Sequence, residues 1–133
     1  MKLTVKSEYA FLALIDLAEH YSEGYIKIEH IAKRKGIPMK FLESILLSLK
    51  KAGFCDSRRG TCGGYMLGKS PGMISLAEII RLMDGALAPV GSVSTFFYRY
   101  TPIEKNEKMK GILKDIRDYV AEKMENITLA DLV

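Results

Sequence analysis

The chain has 133 residues, of which 48% are hydrophobic, enough for one packed domain or for one small domain with an extension. Its formal net charge of +4 is unevenly spread, because residues 1–69 hold 12 Lys and Arg against 7 Asp and Glu, whereas residues 70–133 hold 8 against 9. These figures argue against a disordered chain, two cysteines are too few for a disulfide scaffold, and no apolar run approaches the ~20 residues of a membrane span. We therefore expect a soluble, cytoplasmic protein whose basic, partner-facing surface lies in its first half.

The first predicted helix, residues 6–21, is apolar on more than one face. Its apolar positions outnumber those of a single surface stripe: Tyr9, Ala10, Leu12, Ala13, Leu14, Ile15, Leu17 and Ala18. We expect it to be the central helix of the core. Glu23 and Gly24 end it, and residues 25–28 predict a short edge strand.

Residues 28–49 predict two short helices joined by a tight turn. Gly36 supplies the positive φ that the turn requires, and Ala32 is small where the two helices would cross. The second helix carries one apolar stripe at the spacing i, i+3, i+4, i+7, made of Leu42, Ile45, Leu46 and Leu49. Gly53 provides its stop. This pattern is typical of a helix-turn-helix.

The polar, partly basic face of that second helix suits the major groove of DNA. It carries Lys40, Glu43, Ser44, Ser48 and Lys51. A lysine donates to guanine and a carboxylate accepts from cytosine, so we expect Lys40 and Glu43 to read base edges.

Residues 54–58 and 64–67 predict the two strands of a β-hairpin. A hairpin directly after a helix-turn-helix is a wing. Arg58 and Arg59 stand near its glycine-rich tip with Thr61, and glycine lets the backbone approach DNA while guanidinium binds phosphate bidentately. These three residues are therefore expected to contact DNA. The alternative is an ordinary solvated hairpin.

Ser75 and Glu78 form a capping box that opens a helix ending at Asp84. Residues 86–101 follow no regular period and include four aromatic residues between positions 96 and 100. They predict either a linker whose aromatic side chains pack on the core or a mobile sensing segment.

Residues 104–125 predict a long helix with a broad apolar stripe. A stripe that wide, far along the chain from the core, predicts pairing between two subunits. The expected interface residues are Met109, Ile112, Leu113, Ile116, Tyr119 and Val120. Packing on its own domain is the alternative, and the two can coexist. Asp131 at the third position after Thr128 predicts one last capped turn over residues 128–132.

One stretch matches a nucleotide-binding loop by its letters alone. Residues 63–70, GGYMLGKS, satisfy the pattern G-x-x-x-x-G-K-[ST], whose backbone N–H groups cradle phosphates. The context argues against it, because residues 65–67 are strand-like where a loop must curl and a Pro-Gly pair prevents a helix from starting at Lys69. His20 and His30 have no second ligand or nucleophile nearby in sequence, so neither catalysis nor a metal site is predicted.

Cys55 and Cys62 flank the turn of the hairpin and allow two interpretations. Their side chains could meet, in which case oxidation would distort the wing, and the neighbouring Arg58 and Arg59 would lower a thiol pKa. Alternatively, Cys55 is a small apolar strand residue and Cys62 replaces a turn glycine.

The order of these landmarks resembles the Rrf-two family of bacterial winged-helix regulators. The matching segments are LTVKSEYAFLALIDLA, IAKRKGIPMKFLESILLSLKKAGF, SRRGTCGGYML, ISLAEIIRLMDGALAPV and ITLADLV, which together cover nearly the whole chain. The resemblance implies a homodimeric transcription factor, usually a repressor, held together by its long C-terminal helices. It also implies DNA contacts at Lys40, Phe41, Glu43 and Arg59.

The chain departs from that family where many members hold an iron-sulfur cluster. Those members carry three cysteines shortly after the segment that ends here at Val90, yet residues 86–133 contain neither cysteine nor histidine. Cluster irons need thiolate or imidazole ligands, so no cofactor and no metal is predicted. The signal is expected to come from a partner protein, a small molecule or a thiol.

The sequence thus predicts a mainly α-helical protein with a small β-hairpin. Residues 1–85 form a winged helix-turn-helix DNA-binding domain, residues 86–103 a linker or sensing segment, and residues 104–133 a long dimerisation helix with a terminal turn. The predicted function is that of a homodimeric DNA-binding repressor on an imperfect palindrome, not of an enzyme. A regulator acting mainly through a protein partner is the second hypothesis, and a nucleotide-binding protein using residues 63–70 is the third.

Overall fold

The computed structural model describes all 133 residues as five α-helices and one antiparallel hairpin. The helices are α1 (Val5–Glu19), α2 (Ile28–Lys35), α3 (Met39–Lys51), α4 (Leu76–Asp84) and α5 (Glu107–Glu125), and the strands are β1 (Cys55–Arg58) and β2 (Gly64–Leu67). None of the helices is both long and apolar enough to cross a lipid bilayer. The predicted class, mainly helical with a small hairpin, is confirmed.

α1 is the central helix of the core, as its apolar composition predicts. Helices α2, α3 and α4 all pack against it. Its most deeply buried apolar side chains are Ala10, Ala13, Leu14 and Leu17. Thr4 caps it by accepting the N–H of Ser7, and Asp84 at the end of α4 accepts from the hydroxyls of both residues at 2.5 Å. The carboxylate therefore anchors α4 to the positive end of the α1 dipole.

α2 and α3 form the predicted helix-turn-helix. Gly36 ends α2 with a left-handed φ of 64°, and its N–H donates to the Ala32 carbonyl. The chain turns straight back into the core, because the next residue, Ile37, is buried. The α3 stripe is enclosed over its whole length, from Leu42 through Leu49. The α3 backbone is thus fixed by its apolar side, and its other side is left free.

β1 and β2 pair along their full length and form the predicted hairpin. The strand expected over residues 25–28 is wrong in extent, because α2 already begins at Ile28. Only Ile26 pairs, through hydrogen bonds of 2.7 and 2.8 Å that join its backbone N and O atoms to the backbone O and N atoms of Tyr65. That single bridge ties the hairpin to the segment preceding the helix-turn-helix.

The C-terminal turn returns to the main core. Leu129 is fully buried there, and its N–H donates to the Ile74 carbonyl at 3.0 Å. Thr128 and Asp131 form the predicted capping box, and Thr128 forms a backbone bridge with Ser75. The last turn therefore packs beside the start of α4, although it follows the long helix in sequence.

α5 has two different faces. It begins at Glu107, later than expected, because Pro102–Lys105 forms a 3₁₀ turn and Asn106 caps the helix. Val120 and Met124 pack against a small buried cluster formed by Ala77, Ile80 and Leu87. The adjoining side of the same stripe is exposed and apolar, and carries Met109, Ile112, Ile116 and Tyr119.

Residues 86–103 have no long regular element but are held by local hydrogen bonds. The hydroxyls of Ser92 and Thr101 lie 2.7 Å apart, and the Arg99 N–H donates to the Gly91 carbonyl at 3.0 Å. The aromatic side chains point outward and are all exposed: Phe96, Phe97, Tyr98 and Tyr100. The alternative in which these aromatic side chains pack on their own core is therefore wrong, because all four are exposed to solvent.

Candidate nucleic-acid interface

The outward face of α3 presents most of the predicted reading residues to solvent. Its exposed members are Lys40, Phe41, Glu43, Ser44 and Lys51, and Ser48 is half-buried. The ring of Phe41 lies 6.3 Å from that of Tyr9 on α1, measured between centroids. None of the charged side chains on this face forms an ion pair within the chain, so their donors and acceptors are free for a ligand.

The wing carries its two arginines in different environments. Arg59 and Thr61 are exposed at the tip, where Gly60 adopts a φ of 106° that side-chain-bearing residues rarely take. The guanidinium carbon of Arg58 lies 4.8 Å from the centroid of the Tyr25 ring. Arg58 is therefore held against the body of the protein, whereas Arg59 has no partner.

α3 and the wing share a cleft of about 480 Å³. Lys50 contributes from α3, Arg58 and Arg59 from the wing, and Lys27 from the start of α2. Neither Lys27 nor Lys50 is among the DNA contacts that the sequence predicted. The signal for both residues is spatial, because they come near the wing only after the chain folds.

An ion pair with a buried carboxylate links the helix-turn-helix to α1. Asp16 is fully buried, and both of its carboxylate oxygens accept hydrogen bonds from Arg34 on α2, at 2.8 and 2.9 Å. The hydrogen bond with Asp16 raises the pKa of Arg34 further above its already high value. Lys35 adds a second link to Glu19 at 2.7 Å. Because a guanidinium and a carboxylate meet in a fixed fork geometry, this pair sets the orientation as well as the distance of α2.

The two cysteines do not come together. Cys55 is buried opposite Leu67 at the base of the hairpin, whereas Cys62 is exposed in the turn. Three strand residues at about 3.3 Å each separate the base from the turn, which exceeds the ~7 Å that a disulfide can span between Cα atoms. The expectation that these side chains meet is therefore wrong. Burial raises the pKa of Cys55 to about 12, opposite to the lowering expected from the arginines. A redox role for Cys62 stays a prediction.

The stretch that matches a nucleotide-binding loop forms a strand instead. Four of its residues, Gly64–Leu67, are paired in β2, and no α-helix begins at Lys69. The Lys69 ammonium lies 4.9 Å from the centroid of the Phe54 ring, where it is engaged by the hairpin. An extended strand cannot curl its N–H groups around a phosphate, so this geometry removes the support for the nucleotide hypothesis.

Two of the six predicted interface residues on α5 face their own subunit. Leu113 and Val120 are half-buried on the inner face. Met109, Ile112, Ile116 and Tyr119 are exposed on the outer face. The sequence stripe is thus a composite of an intramolecular contact and an unpartnered apolar surface, which is the combination that the two sequence alternatives allowed.

A helix-turn-helix with a free polar face, followed by an arginine-tipped hairpin, defines a winged-helix DNA-binding protein. The chain belongs to the Rrf2 family, because the family model described as an iron-dependent transcriptional regulator matches residues 3–133. It is a DNA-binding transcriptional regulator. The family expected from the sequence landmarks is confirmed.

Named relatives support this assignment over the full chain. CymR of Bacillus subtilis is 34% identical over 133 residues, covering 99% of this chain and 89% of that protein. IscR of Erwinia tasmaniensis is 31% identical over 141 residues, covering 100% of this chain and 79% of that protein. Both are named as transcriptional regulators, a class that is not enzymatic.

Solved structures agree with the fold. The structure of CymR (YrzC), the global cysteine regulator of B. subtilis, matches with a TM-score of 0.81 and 32% identity, covering 99% of this chain and 95% of that chain. T. potens IscR matches with a TM-score of 0.78 and 30% identity, covering 99% of this chain and 85% of that chain.

The residues of this chain do not fit the iron centre that the family description suggests. Only Cys55 and Cys62 could supply thiolates, and they lie at opposite ends of the hairpin. No group of three or more His, Cys, Asp or Glu side chains is arranged to hold a metal ion. An iron-sulfur cluster needs several thiolate or imidazole ligands at one place, and residues 86–133 contain neither cysteine nor histidine.

Proposed function

We propose that this regulator acts as a homodimer on an imperfect palindrome in duplex DNA. Each α3 would lie in a major groove, one helical turn from its symmetry mate, with each wing in the flanking minor groove. Lys40 and Glu43 would read base edges, while the other basic side chains would hold phosphates. The observation that carries this proposal is the shared cleft, which is lined by the exposed side chains of Lys50 on α3 and Arg59 on the wing.

The outer face of α5 supports the dimer. Ile112, Ile116 and Tyr119 are 56%, 46% and 71% exposed, although their spacing gives one continuous apolar stripe. Contiguous exposed apolar surface of this kind marks an interaction site. A second copy of the same stripe, related by a twofold axis, would cover it and would set two α3 helices at a fixed separation.

We infer that the dimer represses, because a protein seated on a promoter palindrome blocks access by RNA polymerase. It would act in the cytoplasm, where bacterial chromosomal DNA lies. Its signal would arrive without a cluster, through residues 86–103. What supports this input is the exposure of Phe96 and its neighbours, together with the 4.7 Å contact between the Phe96 ring and Arg81 of α4.

A second candidate function is a regulator that acts mainly through a protein partner. The exposed aromatic loop of residues 96–100 favours it, because aromatic side chains are enriched at protein interfaces. The two functions predict different effects of substitutions in the aromatic loop of residues 96–100. Loss of regulation in cells with normal operator affinity in vitro would favour the partner route.

The test of DNA binding begins with sequencing of the DNA that is immunoprecipitated with the protein, which supplies the operator. Arg59→Ala should then weaken operator binding and reduce the slope of log affinity against log salt concentration by about 0.9, the effect of removing one positive charge that neutralises DNA phosphate from within the groove. Lys105→Ala, which removes an exposed positive charge far from the wing in sequence, should leave the slope unchanged. An Arg59→Ala slope equal to that of wild type would remove the wing tip from the interface.

A further inference from the structure

The wing contacts the two residues that precede Lys27, which are Tyr25 and Ile26. The double hydrogen bond between Ile26 and Tyr65 joins this segment to β2. Gly64 packs so closely on it that an added Cβ would lie 2.2 Å from the Ile26 carbonyl oxygen. A side chain at that position would push the wing away. The wing is therefore packed tightly against the segment that precedes α2.

Tyr25 makes the second contact with the wing, because its ring lies against the guanidinium of Arg58. The guanidinium carbon lies 4.8 Å from the ring centroid, within the range of a cation–π contact. Its N–H groups lie in the guanidinium plane, and no hydrogen bond or ion pair within the chain engages them. The aromatic contact thus holds the cation near the ring, while its N–H donors have no partner within the chain and are free for an anion.

Lys27 and Arg58 stand where two clefts meet. The first is the cleft shared with α3, of about 480 Å³, and the second, of about 500 Å³, lies between the wing and the segment before α2. Both residues line both clefts. Arg34 also lines the second cleft, but Asp16 neutralises it. The two free positive charges at the junction are therefore those of Lys27 and Arg58.

We propose that Lys27 and Arg58 form a contact site for the DNA phosphate backbone at the side of the wing, and that Tyr25 is a positioning residue that holds Arg58 in place. This inference rests on the proposed mode of DNA binding and adds a division of labour. Arg59 at the free tip enters a groove, whereas Arg58 is fixed and binds the phosphodiester chain without reading sequence. The ligand is duplex DNA of any sequence, because phosphates are the same at every base pair.

The test measures affinity and salt slope on two probes, the selected operator duplex and a short duplex of mixed sequence. Arg58→Ala and Lys27→Ala should each lower affinity for both probes by the same factor and reduce the salt slope by about 0.9. Tyr25→Leu should lower affinity about two- to fivefold on both probes, in line with the strength of an exposed cation–π contact. Tyr25→Phe keeps the ring and should bind as wild type does.

A double-mutant cycle separates positioning from general damage. Tyr25→Leu should have little further effect once Arg58 is alanine, because the residue it positions is gone. Tyr21→Leu removes another tyrosine of the same loop that has no arginine over it, and Lys105→Ala removes a remote charge, so both should match wild type. Thermal unfolding of every variant controls for stability.

Three results would overturn the inference. The first is an unchanged salt slope in both Arg58→Ala and Lys27→Ala, which are surface changes that do not depend on how Tyr25→Leu folds. The second is an equal loss from Tyr25→Leu with and without Arg58. The third is a loss confined to the operator probe, which would mean base reading. If wild type binds neither probe, the proposed function fails as well, whereas normal wild-type binding with unaffected variants defeats this inference alone.

Discussion

α3 and α5 are both amphipathic helices, but α3 exposes polar side chains to solvent whereas α5 exposes apolar ones. α3 encloses its whole apolar stripe, with Leu46 and Leu49 fully buried, and turns a polar face to solvent. α5 has no fully buried residue and turns apolar side chains outward. The difference indicates what each helix meets. A polar outer face with unpaired charges suits DNA, whereas an apolar outer face needs protein to cover it.

Placing a charge on the outer face of α5 should produce the largest effect. Ile116→Lys should weaken dimerisation by more than about 100-fold, because each buried isoleucine contributes about 1.5–3 kcal/mol and a twofold interface counts it twice. Sedimentation equilibrium measures the dissociation constant. Asp115→Lys introduces the same side chain at the neighbouring exposed polar position. Equal dissociation in both variants would show that the apolar stripe is not the interface.

The enclosed side of α3 should govern folding. Leu46→Ala should lower the free energy of unfolding by about 2–5 kcal/mol, because it leaves a cavity in the core. Leu47 is the matched control, since it is the next residue but is 46% exposed, and Leu47→Ala should cost less than about 1 kcal/mol. Urea titration compares the two variants. Similar losses would contradict the assigned sidedness of α3.

The outer face of α3 should govern sequence choice. Glu43→Ala should lower discrimination at one base pair by about 1–3 kcal/mol while leaving affinity for mixed-sequence DNA nearly intact. Competition assays with operators altered one position at a time measure this effect. Glu107→Ala, which removes an exposed carboxylate from α5, serves as the control. An unchanged operator preference in Glu43→Ala would remove this residue from the reading set.

The smallest effect concerns the link between α4 and α1. Burial alone would raise the pKa of Asp84, but hydrogen bonds from Ser7 and Thr4 outweigh it and lower that pKa below its usual value. The ionised carboxylate therefore stabilises the fold above the unfolded-state pKa of about 3.9, and this contribution is lost as the pH falls through the lower folded-state pKa.

Asp84→Asn should accordingly lose about 1 kcal/mol at neutral pH, the typical size of a helix-capping contact. The stability difference between wild type and variant should shrink as the pH falls below about 4. Chemical denaturation at a series of pH values measures it. A difference that stays constant down to pH 2 would assign the effect to packing instead of charge.

Local patterns in the sequence predicted much of this fold. The stripe of α3, the glycine turn at Gly36 and the capping box of Ser75 and Glu78 all act within a few residues, so their spacing is visible in the letters. The same holds for the hairpin, whose strands are separated by one short turn.

Contacts between distant residues could not be predicted in this way. The Asp16–Arg34 pair, the burial of Leu129 in the main core and the contact of Arg58 with Tyr25 all join separate segments. For the same reason the sequence did not show which apolar residues of α5 pack on their own subunit and which are exposed. The position of α4 decides which of its apolar residues face inward, and the sequence of α5 alone does not contain that information.

The most direct test of the account is cleavage of DNA by an iron chelate tethered to one residue. Cys62→Ser removes the exposed thiol, while Cys55 is buried and can stay. A chelate on Ser44→Cys should cut the operator at two major-groove positions related by a twofold axis, and one on Asp115→Cys should cut nothing. Cutting from Asp115→Cys but not from Ser44→Cys would contradict the assignment of α3 to DNA and α5 to protein.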